Sequence, residues 1–310
     1  MTTNNIYLSD ALEGYYLHAQ ARRLSPNTIN DYANTHNRFL DHIGNLAMRD
    51  ITIDDISDFL ATQTHLTKKS LLNYHTGLSA LYTWAASQKI VETNIVRDIP
   101  RPRPEKRAIK DLTESEVRAI LSALTWSAEY KRPGKCPCKH RLPTAERDKA
   151  IVLLLLDTGI RASELCALQI RHLKLKARSV HIYGKGDKER TLPVGANSSQ
   201  ALWKYLATRS DDILTAPLFA CSTNHPLSRH QLFKMVKRAG EKADISDRVN
   251  PHRFRHTFAI NYLRNGGDAY TLQAMLGHTT LKMVKRYLRL ANTDLERVHR
   301  IASPADNWRL

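Results

Sequence analysis

The chain has 310 residues, 42% of them hydrophobic, which is enough for two domains that each bury a core. It carries 47 Lys and Arg against 30 Asp and Glu, and the resulting formal charge of +17 predicts a polyanionic partner. The longest apolar run, at 151–156, is far shorter than the roughly 20 residues that cross a bilayer. This composition excludes disordered, collagenous and membrane-spanning proteins.

The excess of positive charge lies in the second part of the chain. Residues 1–105 hold 10 basic and 11 acidic side chains, whereas residues 106–310 hold 37 and 19. A surplus that served only solubility would be spread along the chain, so we expect a nucleic-acid surface in the second part. The first residues lack the features of a signal peptide, and four cysteines are too few for a disulfide framework. We therefore expect a reduced, cytoplasmic protein.

Helices are predicted for the first hundred residues. Ser25 followed by Pro26 is typical of a helix start, and Thr52 opens another helix. The clearest helix follows Thr67, where apolar residues recur at spacings of three and four and predict a buried stripe. This stripe consists of Leu71, Leu72, Tyr74, Leu78, Leu81 and Tyr82.

Two lysines, Lys68 and Lys69, lie in the first turn of that helix. Unpaired N–H groups at a helix start favour a phosphate, and the lysines add positive charge, so these residues are candidate DNA contacts. A pair of solvated lysines is the alternative. The sequence does not decide between the two.

A proline-rich segment separates the two parts of the chain. Residues 99–107 read IPRPRPEKR, and the alternating prolines deny the backbone helical hydrogen bonds, which predicts an extended basic linker. We therefore predict a helical N-terminal domain at 1–100, a linker at 101–110 and a second domain at 111–310.

The second domain is predicted to be mainly helical. Thr113 and Glu116 form a capping box that begins its first helix, and two further helices are expected at about 146–157 and 162–169. Alternating apolar residues at 172–175, 179–183 and 189–194 predict a small antiparallel sheet, whose second turn contains two glycines. Helices return after residue 197. The predicted fold class is mainly α with a small antiparallel β-sheet, in two domains.

A basic segment at 126–147 interrupts the helical pattern and is predicted to be a surface loop. Cys136, Cys138 and His140 lie within it, but Cys-x-Cys is not the usual spacing of a zinc finger, so metal binding is the weaker reading. Contact with the DNA backbone is the stronger one, and solvation of the loop is the alternative. Its candidate DNA contacts are Arg132, Lys135, Lys139 and Arg141.

Five short segments of the second domain concentrate cationic, imidazole and phenol groups. The five lie in four stretches, which read TGIRASEL, GKGDKER, PHRFRHTFA and LGHTTLKMVKRY, and the last stretch contains two of them. Together they resemble the active-site motifs of the tyrosine recombinase (phage integrase) family, strongly over 110–300 and more loosely in the N-terminal helices. The resemblance implies a helical core-binding domain followed by a catalytic domain. Its six catalytic positions are Arg161, Lys185, His252, Arg255, His278 and Tyr287.

These residue types also suit the cleavage of a DNA phosphodiester without a metal. Such a reaction needs a nucleophile, cations against the charge of the phosphorane, and a proton for the departing oxygen. Tyr287 can attack through its phenol oxygen and conserve the ester energy in a 3′-phosphotyrosine. Arg161 and Arg255 can hold the two non-bridging oxygens with their planar forks. No cofactor or metal is expected.

The remaining polar residues have more specific expected roles. The resemblance implies that Lys185 protonates the 5′ oxygen, with Lys188 as its rival. His252 is the expected acceptor of the tyrosine proton, because an imidazole titrates near neutrality. We expect His278 to hydrogen-bond a non-bridging oxygen and Glu164 to orient an arginine or lysine.

Several alternatives remain beside this hypothesis. His252 and His256 have the spacing of metal ligands, but the arginines between them would repel a cation, and no cluster of carboxylates suggests a magnesium nuclease. A DNA-binding protein that has lost cleavage, or a topoisomerase with related chemistry, remains open. The length is similar to that of Xer-type enzymes, whereas the segment around Tyr287 is more similar to transposon and phage integrases.

The resemblance also implies an assembly. A tetramer would recombine two specific duplex sites through a Holliday junction in a prokaryotic or mobile-element setting, with an accessory protein as a possible further partner. Residues 293–301 are predicted to form a helix with apolar Leu295, Val298 and Ile301. In the family such a tail docks on a neighbouring subunit, and packing on its own chain is the alternative.

Overall fold

The computed structural model describes residues 5–105, 108–130, 136, 138–184, 189–209, 213–221, 225–291, 299 and 303–308. The chain divides into two compact units, residues 1–108 and 109–310. Helices predominate in both, and the second unit contains a three-stranded antiparallel sheet, which confirms the predicted fold class. No helix in these ranges is long and apolar enough to cross a membrane.

Four helices and a short 3-10 turn build the N-terminal unit. Local chemistry fixes three of the helix starts, because the side chains of Ser25, Thr52 and Thr67 each accept a hydrogen bond from the backbone N–H three residues later, as predicted. The elements are α1 (Leu8–Ala21), α2 (Pro26–Ile43), α3 (Ile53–Thr62), α4 (Lys68–Ser87) and the turn Ile95–Asp98.

Most of the predicted stripe of α4 faces the core of this unit, whereas Leu72 is half-buried and does not pack against that core. Leu78, Leu81 and Tyr82 are fully buried, and they pack against side chains of the other three helices. One imidazole is enclosed in the same core: His36 donates from Nε2 to the carbonyl of Gly77 at 3.0 Å and accepts from the hydroxyl of Tyr16 at 3.1 Å. Burial lowers the pKa of His36 to about 4, so the ring is neutral.

The C-terminal unit is built around α6, whose buried residues contact three neighbouring helices. Thr113 and Glu116 form the predicted capping box at the start of α5. The helices are α5 (Glu114–Thr125), α6 (Ala145–Thr158), α7 (Ala162–Cys166), α8 (Ala196–Leu206), α9 (Arg229–Lys242), α10 (Pro251–Arg264), α11 (Ala269–Leu276), α12 (Leu281–Ala291) and a short final helix, Pro304–Trp308.

The sheet has the order β1–β2–β3, with strands Leu173–Lys174, Ser179–Tyr183 and Glu189–Pro193. A 3-10 turn at Ile170–His172 replaces the predicted start of the first strand, and α7 ends three residues earlier than predicted. The antiparallel register pairs Ile182 with Arg190 and, two residues on, Val180 with Leu192. Arg190 therefore shares the buried face of β3 with Leu192, because every second residue of a strand points to one side.

The basic segment at 126–147 differs from the predicted loop. Its two limbs pair in antiparallel fashion, since Trp126 bridges to Arg141 and Tyr130 bridges to Cys138. Backbone hydrogen bonds of 3.0 and 3.1 Å join Tyr130 and Cys138 in both directions. The sequence pattern lacks the alternation that signals long strands, and isolated bridges of this kind require none.

Candidate active site

Two helices of the C-terminal unit end at glycines with left-handed backbones. Gly159 follows α6 with a φ of 60°, and Gly277 follows α11 with a φ of 61°. The last carbonyls of a helix have no partner within the helix and form its negative end. Both ends therefore offer free acceptors to cationic side chains.

Three arginines occupy these acceptors, and we call Arg161, Arg190 and Arg255 the arginine cluster. Successive carbonyls at the end of α11 each receive a guanidinium: that of residue 275 from Arg190 at 2.9 Å, that of residue 276 from Arg255 at 2.7 Å, and that of Gly277 from Arg161 at 3.0 Å. Arg255 also donates to the carbonyl of Gly159 at 2.6 Å. The two glycine-ended helices thus fix the cluster before any substrate binds.

The HRFR segment contains a second arginine, which has a different role. Arg253 and Arg255 lie two positions apart on α10, about 200° around a helix, so they face opposite sides. Arg253 contacts Glu116 at 3.2 Å and backbone carbonyls near the start of α5. Of the two, Arg255 belongs to the arginine cluster.

Glu164 binds two members of the cluster. Its carboxylate accepts from Nη1 and Nη2 of Arg190 at 3.0 and 2.8 Å, from Nη1 of Arg161 at 2.8 Å, and from the backbone N–H of Arg161 at 2.9 Å. Burial alone would raise the pKa of Glu164, but the hydrogen bonds from these arginines outweigh it and hold the pKa below its usual range. The carboxylate contacts two arginines, and the orienting role predicted for Glu164 stays a prediction.

His278 presents an unused donor beside the cluster. Its Nε2 lies 2.9 Å from Nη2 of Arg255, and because an arginine only donates, Nε2 accepts and Nδ1 carries the proton. Burial and the nearby arginines lower the pKa of His278 to about 4, so the ring is neutral. Nδ1 is buried without a hydrogen-bond partner among the described residues. Such a donor is available to an incoming acceptor.

The phenol of Tyr287 lies on α12 and is 6% exposed. Its hydroxyl is 2.8 Å from Nδ1 of His256 on α10. Burial raises the pKa of Tyr287, while the charges of Arg255 and Arg286 partly offset the rise, so the phenol is protonated near neutral pH. In the part of the chain that the structure describes, the imidazole bonded to the phenol is that of His256, not that of the predicted acceptor His252.

His252 lies one turn before His256 on α10 and is exposed to solvent. Its ring meets that of Phe233 edge to face, with centroids 6.1 Å apart. Partial burial, followed by the charges of Arg255 and Arg161, lowers the pKa of His252. The imidazole therefore lies near the two arginines that were predicted to bind phosphate.

The other predicted site residues lie on the surface or outside the described residues. Lys185, Arg132 and Lys135 lie outside them, as does the tail segment 292–298. Lys69 and Lys139 are exposed. Lys68 pairs with Glu105 at 3.3 Å, and Arg141 pairs with Glu146, so both have acidic partners within the chain.

Two residues of the site, Arg190 and His256, were missed by the sequence reasoning. A signal existed for Arg190, because an arginine two residues before Leu192 falls on the apolar face of a strand. For His256 the sequence pattern offers only the metal-ligand spacing that it shares with His252. No cluster of three or more metal-ligating side chains was found within the described ranges.

Family models match both units of the chain. Residues 110–294 match the phage integrase family, and residues 12–92 match the phage integrase N-terminal SAM-like domain. Tyrosine recombinase XerD of Mycobacterium tuberculosis (strain H37Rv) is 29% identical over 294 residues, which cover 89% of this chain and 91% of that protein.

Solved structures share the fold. A λ integrase tetramer bound to a Holliday junction is 18% identical, with 90% of this chain and 79% of that chain covered and a TM-score of 0.73. The Tn1549 transposon integrase in complex with a circular intermediate DNA is also 18% identical, with 89% and 94% covered and a TM-score of 0.70. Because the first family model spans more than half of the chain, the protein belongs to the phage integrase family of tyrosine-type site-specific recombinases.

Proposed function

We propose that this recombinase cuts and rejoins DNA at a specific site through a covalent 3′-phosphotyrosyl intermediate formed on Tyr287. One observation carries the proposal: a buried phenol, fixed guanidinium groups and an unpartnered imidazole donor belong to one site. The charge of Arg255 also partly offsets the rise that burial causes in the pKa of Tyr287. A phosphodiester between these groups would meet a nucleophile and cations together.

The arginine cluster would bind the scissile phosphate. The Arg161 side chain is 36% exposed, so a non-bridging oxygen can reach it and replace water. Nδ1–H of His278 would donate to the same phosphate, since it has no other described partner. All these donors are held in place before the reaction, which avoids reorganisation as negative charge develops.

Lys185 would supply the proton to the departing 5′ oxygen. In the sequence Lys185 precedes β3 by four residues, and Arg190 joins that strand to Glu164 and to the end of α11. This contact would hold β3, and with it the chain that leads from Lys185, beside the arginine cluster. Religation reverses the same steps and needs no ATP, because the phosphotyrosyl ester retains the energy of the cleaved bond.

Basic residues of both domains would hold the DNA backbone. The N-terminal helical domain and the catalytic domain would act as a clamp on the duplex, with the linker at 101–110 between them. Lys69 and Lys139 are exposed and can bind phosphate directly. Lys68 and Arg141 must exchange an acidic partner for a phosphate, so their contribution is smaller. The affinity for DNA should fall as salt is added. A plot of the logarithm of the binding constant against the logarithm of the salt concentration should have a slope of roughly −0.9 per phosphate neutralised.

A tetramer that exchanges C-terminal tails would carry out strand exchange. The fold shared with the λ integrase tetramer supports this, as does an open apolar hollow lined by Val117, Val194, Phe258, Tyr262 and Met275. The apolar residues predicted at 295, 298 and 301 suit such a surface. Deleting residues 292–310 should abolish synapsis and leave DNA binding largely intact, and complete loss of DNA binding would contradict tail exchange.

The biological setting is part of the same proposal. The residues around Tyr287 favour a mobile-element integrase over a resolvase of chromosome dimers, and the substrate would place the enzyme in the cytoplasm with the nucleoid. The target site can be sought in the DNA that flanks the gene.

A covalent-adduct assay tests the chemistry. A nicked duplex carrying the target site is incubated with the wild type or with Tyr287→Phe in EDTA, and a denaturing gel shows whether protein stays attached to DNA. We expect an adduct with the wild type and none with the variant, which lacks only the hydroxyl. Tyr205→Phe is a matched control, because it removes a hydroxyl from α8.

The possible results separate the candidate functions. Specific DNA binding without an adduct would indicate a silent DNA-binding protein of the same fold. An adduct together with relaxation of supercoiled DNA that carries no target site would indicate a topoisomerase. An adduct that persists in Tyr287→Phe would refute the assignment of the nucleophile.

A further inference from the structure

The buried phenol of Tyr287 raises a question about its proton. Burial raises the pKa of this hydroxyl, so the attacking oxygen carries a proton until the reaction begins. The bond to phosphorus cannot form fully while that proton remains, so an acceptor must lie within hydrogen-bond distance of the oxygen. The described group that meets this condition is Nδ1 of His256, at 2.8 Å.

We propose that His256 is the catalytic residue that orients the phenol of Tyr287 and takes its proton during strand cleavage. This inference rests on the proposed function. The oxygen of Tyr287 forms a bond to phosphorus as its proton passes to Nδ1 of His256. The bond from phosphorus to the 5′ oxygen breaks, and that oxygen takes a proton from Lys185. Religation returns both protons.

The direction of the hydrogen bond follows from burial. If Nδ1 donated to the phenol, the phenol's own proton would need a second acceptor, although the Tyr287 side chain is only 6% exposed to water. The hydroxyl of Tyr287 is satisfied in the structure, and His256 is its described partner. Nδ1 therefore accepts, and the hydroxyl points its proton toward α10 and leaves a lone pair for phosphorus.

The surroundings of His256 keep it neutral until DNA arrives. Burial lowers its pKa to about 4, and nearby charges act in the same direction. The charged and titratable groups that face it are His252 and Arg255 on α10 and Arg286 and Tyr287 on α12. A phosphate bound to the arginine cluster would offset the charge of Arg255. The imidazole would therefore become more basic when the substrate is in place.

This assignment leaves a different role for His252. Its ring is exposed and lies near Arg255 and Arg161, whose charges lower its pKa. An imidazole in that position can donate to a phosphate oxygen. The two histidines, one turn apart on α10, would then have separate roles. His252 would bind the phosphate, and His256 would accept the proton of Tyr287.

Single-turnover cleavage of the nicked duplex tests the proposal with the full-length protein. His256→Asn keeps an acceptor near the position of Nδ1 but cannot hold a proton, and His256→Phe removes the acceptor and keeps the volume. We expect both variants to cleave about 100-fold more slowly than wild type at pH 7. Between pH 7 and 9 their rates should rise by about tenfold per pH unit, because hydroxide then generates the phenolate, whereas the wild-type rate should change less.

A substrate with sulfur in place of the bridging 5′ oxygen shows whether a variant is defective in protonating the leaving group or in deprotonating the nucleophile. A thiolate leaves without being protonated, because thiols are far more acidic than alcohols. This substrate should restore cleavage by Lys185→Ala and leave His256→Asn slow. His42→Asn is the matched control for the loss of an imidazole, since His42 pairs with Asp58 in the N-terminal unit. DNA affinity and thermal unfolding show that each variant is folded.

Three results would overturn the proposal. The first is His256→Asn cleaving within about threefold of wild type while His252→Asn shows the loss and the rise with pH. The second is faster cleavage by His256→Phe, which would mean that the hydrogen bond only restrains the phenol. The third is rescue of His256→Asn by the sulfur substrate. If wild type itself formed no adduct, the proposed function would fail first.

Discussion

Replacing Glu164 by Gln should destabilise the C-terminal unit more than any exposed carboxylate would. Glu164 is 7% exposed and binds Arg161 and Arg190 through four hydrogen bonds. Glutamine has nearly the same shape, but it loses the negative charge and turns an NH2 group toward a guanidinium. Two positive charges would then remain at the site without their compensating carboxylate.

The loss in the free energy of unfolding can be estimated from how deeply the charged groups are buried. Removing one partner of a buried ion pair costs about 3–5 kcal/mol, because the other charge stays buried. Arg190 is 14% exposed, but Arg161 is 36% exposed and solvent screens its share. The expected loss is therefore about 2–3 kcal/mol. For a unit of this size that lowers Tm by about 5–10 °C.

Scanning calorimetry of the full-length protein measures this loss. Glu189→Gln is the matched control, since this carboxylate on β3 is 54% exposed and pairs with His181, and its loss should stay below about 0.5 kcal/mol. The pKa of Glu164 lies below its usual value of 4.5, so the carboxylate stabilises the wild type above that pH and the gain is lost as the pH falls further. Equal Tm values for Glu164→Gln and Glu189→Gln would refute the reasoning.

Three further predictions concern other parts of the structure. Arg190→Lys keeps the charge but loses the planar fork, so single-turnover cleavage should fall by about tenfold while DNA affinity, measured by fluorescence anisotropy, stays the same. Gly159→Ala should cost about 2 kcal/mol or more in urea unfolding, because its Cβ would lie 2.4 Å from Phe258, whereas Gly44→Ala, with open space around it, should show only the backbone strain of about 1 kcal/mol. His36 has a folded pKa of about 4 against 6.5 unfolded, so the unfolded chain binds the proton first; stability should fall by up to about 3 kcal/mol from pH 7 to 4, and His36→Phe should remove that slope.

The parts of the fold that depend on interactions between residues close together in the chain could be predicted from the sequence. Ser25, Thr52 and Thr67 cap their helices through hydrogen bonds to the residue three positions on, so the pattern and the interaction lie in the same short segment. The strands could be predicted for a similar reason, since alternation reports which face is buried. The pairing within 126–147 could not be predicted in this way. It joins residues 8 and 15 positions apart through backbone hydrogen bonds, which the pattern of side chains does not reveal.

In the site, too, local motifs could be recognised from the sequence, whereas contacts between distant parts of the chain could not. Arg161 and Arg255 could be identified because each stands in a recognisable motif, but the partners that fix them are backbone carbonyls 116 and 96 residues away in the chain. The contact of His256 with Tyr287 spans 31 residues and depends on how α12 packs against α10. Sequence spacing on one helix instead drew attention to His252. Which histidine meets the phenol is a property of helix packing, which spacing alone does not determine.

In the proposed reaction, the charges of the arginine cluster and Glu164 suit the transition state better than the bound substrate. The arginine cluster carries three positive charges and Glu164 carries one negative charge, while His278 and His256 are neutral. The cluster and Glu164 together therefore contribute two positive charges, beside that of Lys185, and these attract a phosphorane with two negative charges more strongly than a phosphodiester with one. Only an interaction that strengthens in the transition state accelerates the reaction. Glu164→Gln should therefore bind cognate DNA at least as tightly as wild type and cleave it more slowly, since it adds attraction for the ground state and loosens Arg161 and Arg190. Weaker binding with an unchanged cleavage rate would contradict this account of the carboxylate.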